Sequence, residues 1–578
     1  MKLIRIILIQ SFLWFCCLRI FTSCSNLQEE KSGTTFCNPL DLNYRYQPDA
    51  PSRREAADPT IVLFKDKYFL FVSKTGGYWC SEDLKTWNLI ETNEIPIEDY
   101  APTAVVIGDT IYFMASSTEV RPIYKSVDPA SGKWQIARDT FPFPVWDPAL
   151  FLDGDHLYLY WGCSNVNPIY GIELDYKNNF EPIGEAVICY NSDTDIHGWE
   201  RPGDTNEMNK APWIEGPWMN KLNGRYYLQY AAPGTEFKSY ADGVYISDHP
   251  LGPFKYASHN PFSLKAGGFI CGAGHGNTFS DKFGNLWHIG TMTISVNHMF
   301  ERRLALFPVV LDKDSILYTW TSFGDYPFSI PTYKFSDPND LFTGWMLLSY
   351  KKPVSVSSSL KEFPPINAVD EDIRSFWSAE TGSKGEWISI DLQEIAEIKA
   401  IQVNYTDYMS KTYSRDSGCY YQYIIEWSAD GTNWKILEDK RTIGDDTPHL
   451  YWQLPEPVFA RYIRLTNGHI PSGKFAISGF RIFGTGASEK PYGAENIKIT
   501  RNNDDRTTVL LTWNEVHNAT GYNIRYGTGK DKLYSSHLVY SDTSLVLRSL
   551  NANQKYFFAI DAFNESGVTY SKNIQPSL

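Results

Sequence analysis

Three acidic residues stand in short, similar contexts far apart in the chain. Asp58 lies in Ala57-Asp58-Pro59, Asp147 in Trp146-Asp147-Pro148 and Glu215 in Ile214-Glu215-Gly216-Pro217. Carboxyl groups that meet in one cavity can divide acid and base work. A protonated one donates to a leaving oxygen, while an ionised one activates water or attacks carbon directly. Crowding helps, because like charges raise one another's proton affinity and keep one carboxyl protonated near neutral pH. The chemistry within reach of such a set is hydrolysis of a glycosidic bond. An isolated Asp-Pro is more simply a turn cap, so the reading depends on a fold that brings the three together.

An internal repeat supplies that fold. Five segments begin alike, at Ala57-Asp58-Pro59, Ala101-Pro102-Thr103, Trp146-Asp147-Pro148, Glu215-Gly216-Pro217 and Gly274-His275-Gly276. After each, a turn rich in Asp, Asn and Gly leads to a second apolar strand, such as Tyr68-Phe69-Leu70-Phe71 or Leu157-Tyr158-Leu159-Tyr160. Such turns suit tight hairpins. A third strand and a polar hairpin follow, for example Ser81-Glu82-Asp83-Leu84-Lys85-Thr86-Trp87. Four short strands repeated five times predict a five-bladed β-propeller. Inner strands of a propeller start beside its axis, so Asp58, Asp147 and Glu215 are expected at one mouth of the channel, from blades one, three and four. Ala101 in blade two supplies no acid. The longer polar stretch from Asn191 to Lys210 is expected to form a loop at the pocket rim.

With these motifs in order, residues 51–335 resemble glycoside hydrolase family 43. The resemblance implies Asp58 as general base, Glu215 as general acid and Asp147 as the residue that tunes and orients the acid. It also implies inversion, for which base and acid should stand about 6.5–9.5 Å apart with water between them. Trp218 follows Pro217 where many relatives carry His, which bears on leaving-group recognition. His275 falls where the family often has a His near a channel ion, commonly calcium; calcium prefers oxygen ligands, and a hydrogen-bonded structural His fits as well. Arg302 or Arg303 would contact a sugar hydroxyl, or be a solvated strand residue. Trp146, Trp199 and Trp218 are candidate sugar platforms or packing residues. The loop His197-Gly198-Trp199-Glu200-Arg201 is a candidate for subsite shape.

Two further β-modules are expected. Residues 350–486 resemble the discoidin, or coagulation factor 5/8 type C, domain, on Val354-Ser355-Val356, Phe376-Trp377-Ser378, Glu426-Trp427-Ser428-Ala429-Asp430-Gly431 and Ala460-Arg461-Tyr462-Ile463-Arg464-Leu465. Relatives in bacterial glycosidases are often carbohydrate-binding modules of family 32, so this one is a lectin or a spacer. Asp370 and Asp372 belong to a structural calcium loop or cap turns. Residues 490–576 resemble a fibronectin type III sandwich, on Val509-Leu510-Leu511-Thr512-Trp513, Tyr522-Asn523-Ile524-Arg525-Tyr526 and Tyr556-Phe557-Phe558-Ala559-Ile560; such a module spaces or stabilises. The fold class is therefore all-β throughout.

The N-terminus reads as a signal segment, residues 1–23, with Lys2 and Arg5 before an apolar run. It ends in Phe21-Thr22-Ser23-Cys24, which resembles a bacterial lipobox with Cys24 as the lipid-bearing residue, followed by a polar tether over 24–50. Nine Cys are scattered with no zinc-like spacing. A net charge of −14 argues against nucleic-acid binding. The expected partners are a glycan and, through the lipid anchor, a membrane; nothing in the sequence sets an oligomeric state. The combined expectation is an exported outer-membrane lipoprotein facing periplasm or medium. Its activity would be that of an inverting glycosidase on plant-type glycan, an α-L-arabinofuranosidase or β-xylosidase, that needs no cofactor for chemistry beyond structural calcium. Alternatives are a galactosidase of the same family, or a non-hydrolytic glycan-binding surface lipoprotein.

Overall fold

A computed structural model describes residues 33–577 apart from Glu98, Asp416 and Ser417. The expected signal segment and Cys24 lie outside them. Five antiparallel sheets of four strands occupy residues 60–91, 100–138, 149–190, 215–256 and 271–319, and in each the strands pair in chain order. Left-handed Asp66, Gly108, Gly154, Asn223 and Gly284 sit in the hairpins after the first strands, where tight turns need positive φ. The first strands neighbour one another in order, and the fifth returns to the first, closing a ring.

The abundance of aromatic residues has a packing reason. Each gap between neighbouring sheets carries its own apolar core. Phe69 and Phe71 meet Phe113 between sheets one and two; Met114 meets Leu150 and Leu159 between two and three. Tyr160 meets Met219 and Leu228 between three and four, Tyr227 and Val244 meet Val309 between four and five, and Leu70 and Trp79 meet Trp287 and Ile289 across the closing gap. Large flat rings fill such wedges at low entropy cost. Side chains also lace the seams near the axis. Thr60 Oγ1 donates to Pro102 O (2.8 Å), Leu150 N to Thr103 Oγ1 (3.0 Å) and, where the ring closes, Ile61 N to Asn277 Oδ1 (2.9 Å).

Two expectations change. Residues 34–50, expected as tether, are built into the fold. Thr35–Phe36 pairs with Phe328–Ser329, and Asn38 exchanges hydrogen bonds with Leu306. Their burial follows from Phe36, Leu40, Leu42 and Tyr44, which complete the core between sheets five and one. The stretch 191–210, expected at the pocket rim, instead docks on the last module. Gly198 N donates to Leu550 O (3.0 Å) and Arg201 Nη1 to Asp505 Oδ2 (2.9 Å). A Cβ at Gly198 would meet Arg548 O at 2.3 Å, so only glycine allows this approach. Residues 331–353 form a packed extension, with Met346–Leu347 pairing into the second module.

That second module is an eight-stranded sheet system with long strands Trp387–Tyr405 and His449–His469, wrapped on a core that includes Trp377, Ile390, Ile463 and Ile477. The last module faces a three-stranded sheet against a five-stranded one around Leu511, Trp513, Ile524 and Phe558. It is no loose spacer. Leu538 and Phe563 from it, Phe483 and Ala400 from the second module, and Phe323 and Tyr326 after the fifth sheet share one apolar cluster.

Beside that cluster, buried Arg481 forks onto both carboxylate oxygens of Glu371 (2.9 Å each) and donates to Asp325 O (2.6 Å) and Gln402 Oε1 (2.9 Å). Burial raises the Glu371 pKa and Arg481 opposes the rise. Removing the guanidinium strands a buried charge. Arg481→Met is expected to cost about 3–5 kcal/mol and to lower the thermal midpoint. The double variant Arg481→Met, Glu371→Gln should recover part of the loss. A double variant no better than the single one would show that packing, not charge pairing, sets the effect.

Candidate active site

One backbone feature recurs at the mouth of the ring. Asp58 (φ 54°), Ala101 (37°), Asp147 (49°), Gly216 (57°) and His275 (42°) are all left-handed at the start of a first strand. For a residue other than glycine this conformation costs about 1–2 kcal/mol, so the surroundings must hold it. They do so through hydroxyls at the end of the preceding sheet's second strand. Asp58 N donates to Thr291 Oγ1 (2.9 Å), Ala101 N to Ser73 Oγ (2.8 Å) and Asp147 N to Ser116 Oγ (3.0 Å). His275 N is held by Asp242 Oδ1 (2.7 Å). The position equivalent to Asp58 and Asp147 in sheet four is thus Gly216. Glu215 stands one residue earlier, at a register shift between Glu215 and Trp218. A Cβ on Gly216 would meet the His275 ring at 2.5 Å, so glycine there lets His275 close over Glu215.

Asp58, Asp147, Glu215, His275, Arg302 and Trp146 line one cavity of about 410 Å³. Each acid has its own environment. Asp58 is buried, and burial alone would raise its pKa. Arg302, His275 and Ser73 outweigh burial and hold the carboxyl below the usual range. Arg302 Nη1 lies 3.0 Å from Oδ1, His275 Nδ1 3.3 Å from the same oxygen, and Ser73 Oγ 2.6 Å from Oδ2. Asp147 is also buried, and no Lys or Arg pairs with it among the described residues; His275 Nδ1 is 3.7 Å from its Oδ2. Burial, with the charges of Glu215 and Asp58 added, pushes it up to about 7 against the pull of His275. Glu215 accepts from Tyr240 OH on Oε1 and from Cys163 Sγ on Oε2 (3.2 Å). Burial and the neighbouring carboxylates raise the Cys163 pKa, so this donor stays a thiol.

Other expected residues fall elsewhere. Arg303 turns away from the cavity to His449 Nε2 (2.7 Å) and Arg54 O (2.7 Å), because successive strand residues face opposite sides. Trp199 is fully buried in the core between sheets three and four and donates to Tyr256 OH (2.8 Å), so it offers no face to a sugar. Trp218 lies along the seam to sheet five, donating to Thr278 O (3.0 Å), and does not line the cavity. Asp370 and Asp372 cap their own turn. Asp370 Oδ1 accepts from Asp372 N (3.1 Å), and Asp372 Oδ2 is taken by Lys238 Nζ (2.9 Å), a cation already in place where calcium was considered.

Several site residues escaped the sequence reading. Ser73, Ser116 and Thr291 carry a signal, since they recur at one register of the repeat. Tyr240, Cys163 and Asp242 carry none. Glu55, which accepts from Arg302 Nη2 (2.7 Å) and so aims it at Asp58, lies three residues before Asp58. Among the described residues, Asp147, Glu215 and His275 are the one group of three whose possible ligand atoms lie within 4.8 Å of one another. The fit to calcium is poor. One ring nitrogen and two carboxylates fall short of six to eight oxygens, and both Glu215 oxygens already accept hydrogen bonds.

A closed ring of sheets holding a carboxyl with a lowered pKa, a carboxyl with a raised one and a third acid in one cavity is the arrangement of a glycoside hydrolase. Residues 52–317 match the model for glycosyl hydrolases family 43, and residues 353–480 that for the F5/8 type C domain. The chain belongs to glycosyl hydrolase family 43. A β-D-galactofuranosidase of Aspergillus niger is 35% identical over 245 residues, covering 39% of this chain and 70% of that protein. A xylosidase/arabinosidase of Bacteroides ovatus is 28% identical over 270 residues, covering 35% and 76%. An endo-1,4-β-xylanase structure from Bacteroides thetaiotaomicron is similar at 24% identity, covering 48% of this chain and 96% of that one, with a TM-score of 0.39.

The raised Asp147 has a consequence for stability. Its folded pKa exceeds the unfolded one, so ionising it weakens the folded state as pH climbs from the usual carboxylate range through about 7. Asp147→Asn is expected to stabilise the fold relative to wild type at pH 8 by on the order of 1–3 kcal/mol, and so to raise the thermal midpoint. The gap should narrow by pH 5, where the folded Asp147 is neutral, and close only below the unfolded carboxyl's pKa of about 4. An equal change at both pH values would contradict this electrostatic account.

Proposed function

We propose that this protein is an inverting glycosidase in which Asp58 is the general base, Glu215 the general acid and Asp147 the residue that tunes and orients the acid. The observation that carries the assignment is the separation of environments inside one cavity. Asp58 is kept ionised by Arg302, as a base that activates water must be, while the pKa of Asp147 beside Glu215 is pushed up to about 7. Trp146, 41% exposed at the cavity wall, is a sugar platform, and Arg302 both holds the base and faces the substrate. His275 bridges the acids as a hydrogen-bonding residue. The reaction runs on these groups with no cofactor.

The favoured substrates are arabinofuranosyl or xylosyl units on plant-type glycan, in keeping with the relatives named xylosidase/arabinosidase and β-xylosidase. A galactofuranosyl unit is the second reading, favoured by the 35% identical relative named β-D-galactofuranosidase. The ring of five four-stranded sheets supports a five-bladed propeller. The last module, with sheets ordered 498–501, 509–512, 544–547 and 535–540, 521–527, 557–564, 567–569, supports a fibronectin type III fold. We assign the F5/8 type C domain to glycan binding and the N-terminal segment to export with lipid anchoring at Cys24.

Hydrolysis of nitrophenyl α-L-arabinofuranoside, β-D-xyloside and β-D-galactofuranoside tests the reading. Glu215→Gln should lose about 10²–10⁴-fold in kcat/KM on a glycan substrate, and much less on a dinitrophenyl glycoside, whose leaving group needs no proton. Asp58→Asn should lose a similar factor on both. Equal losses for Glu215→Gln on the two substrates would remove it from the acid's role.

A further inference from the structure

A second cavity of about 330 Å³ adjoins the first, between sheets three and four, and Trp146 and Cys163 line both. Its remaining walls include Trp161, Tyr170 and Trp213. The catalytic reading above uses none of these three. We infer that this cavity is the subsite for the leaving-group side of the glycan, where a neutral pyranosyl residue stacks between Trp146 and Trp213. This rests on the proposed roles of Asp58 and Glu215.

Direction is fixed by the acid. The leaving oxygen must take its proton from Glu215, so the departing sugar lies on the Glu215 side. Asp58 sits with Arg302 and Ser73, whereas Glu215 Oε2 touches Cys163, the residue at the waist between the cavities. A glycan whose scissile bond spans base and acid therefore continues past Cys163 into the second cavity. Neither acid lines that cavity, but Cys163, which touches Glu215, does.

The walls suit a sugar ring. Trp146 and Trp213 are 41% and 42% exposed, although burying such rings is worth about 1.5–3 kcal/mol each. A pyranose offers a flat face of C–H groups that covers an indole, while its hydroxyls stay at the edge. No charged side chain lines the cavity among the described residues, which favours a neutral sugar over a uronic acid; Ser164 and Asn167 supply the polar groups.

The site is also built before any ligand arrives. Ser164 and Ile214 exchange backbone hydrogen bonds (3.0 Å each way), stitching the sheet-three loop to the strand that leads into Glu215, and Trp213 N donates to Pro233 O (2.8 Å). Ser164 Oγ accepts from Val166 N (3.1 Å) and Asn167 N (2.9 Å). Trp161 stacks on Tyr170 at 5.6 Å and rests against Phe143 at 5.3 Å. Walls held this way lose little entropy on binding.

The test compares leaving groups with and without a ring, for the sugar that wild type cleaves in the nitrophenyl panel. Trp213→Ala should lower kcat/KM about tenfold on that sugar attached to xylotetraose. It should change the methyl glycoside less than twofold, and Trp213→Phe should restore most of the difference. Equal losses on both substrates, or none on either, would overturn the subsite. Calorimetric titration with xylotetraose alone gives a readout that needs no turnover. Wild type should bind it and Trp213→Ala about tenfold more weakly, and no binding to wild type would also overturn the proposal. A wild type whose xylotetraose binding weakens in Trp213→Ala, yet which cleaves none of the panel, would instead fault the catalytic reading.

Discussion

Like-charge repulsion in a water-poor cavity is the constraint that organises this molecule. Two unit charges 4 Å apart repel by about 4 kcal/mol at an effective dielectric of 20, so three ionised carboxylates would consume much of a stability of about 5–15 kcal/mol. The site resolves the problem three ways. Asp58 is neutralised by Arg302, Asp147 holds its proton more tightly, with a pKa pushed up to about 7, and Glu215 leans on two donors, Tyr240 and Cys163. Glu55 then matters as much as the acids. It fixes one end of Arg302, so that the other end meets Asp58 and not Asp147. The asymmetry that keeps one carboxyl ionised and raises the pKa of another comes from which carboxyl Arg302 reaches.

The backbone serves the same end. Five left-handed residues stand at the ring's mouth, a conformation that local propensity opposes except at Gly216, and Asp58, Asp147 and His275 among them line the cavity. Thr291, Ser73 and Ser116 each hold the amide that begins the next sheet. Ser73 and Ser116 also reach a catalytic-site carboxylate, Ser73 at Asp58 Oδ2 and Ser116 at Asp147 Oδ1 (3.2 Å). One small side chain thus supports a strained turn and stabilises charge, which couples the ring's closure to the electrostatics of the site.

The sequence made the repeat and the three acids legible because both are local. Asp58 and Asp147 directly precede a proline and Glu215 stands two residues before one, each at the head of an apolar strand that is followed by its hairpin. What it hid was non-local. Trp199 and Arg303 have the chemistry of sugar-binding residues, but the strand register turns Arg303 toward His449, and the last module covers the loop of Trp199. Glu215 was misaligned by one residue because a bulge precedes Trp218, and a bulge adds a residue without changing the pattern. Tyr240 and Cys163 reach Glu215 from 25 and 52 residues away, with no motif to mark them. Asp370 and Asp372 have calcium-loop spacing, yet Lys238 from sheet four answers their charge.

The three modules are joined by two kinds of contact that do different work. The shared apolar cluster of Phe323, Tyr326, Phe483, Leu538 and Phe563 supplies attraction, but apolar faces slide over one another at little cost. Arg481 supplies the register. Its fork fits Glu371 in one geometry, and its remaining donor needs Asp325 O and Gln402 Oε1 at the same time. Glu371 and Gln402 belong to the second module itself, so the ion pair travels with it. What crosses the seams is directional: Arg481 Nη1 donates to Asp325 O, and Tyr540 OH of the last module donates to Glu371 Oε2 (3.4 Å). A displaced docking would keep the ion pair and lose these two bonds, and a buried polar group left without its partner costs about 1–3 kcal/mol. The pair thus acts on docking by holding a guanidinium and a carboxylate fixed in direction where the neighbouring modules meet them.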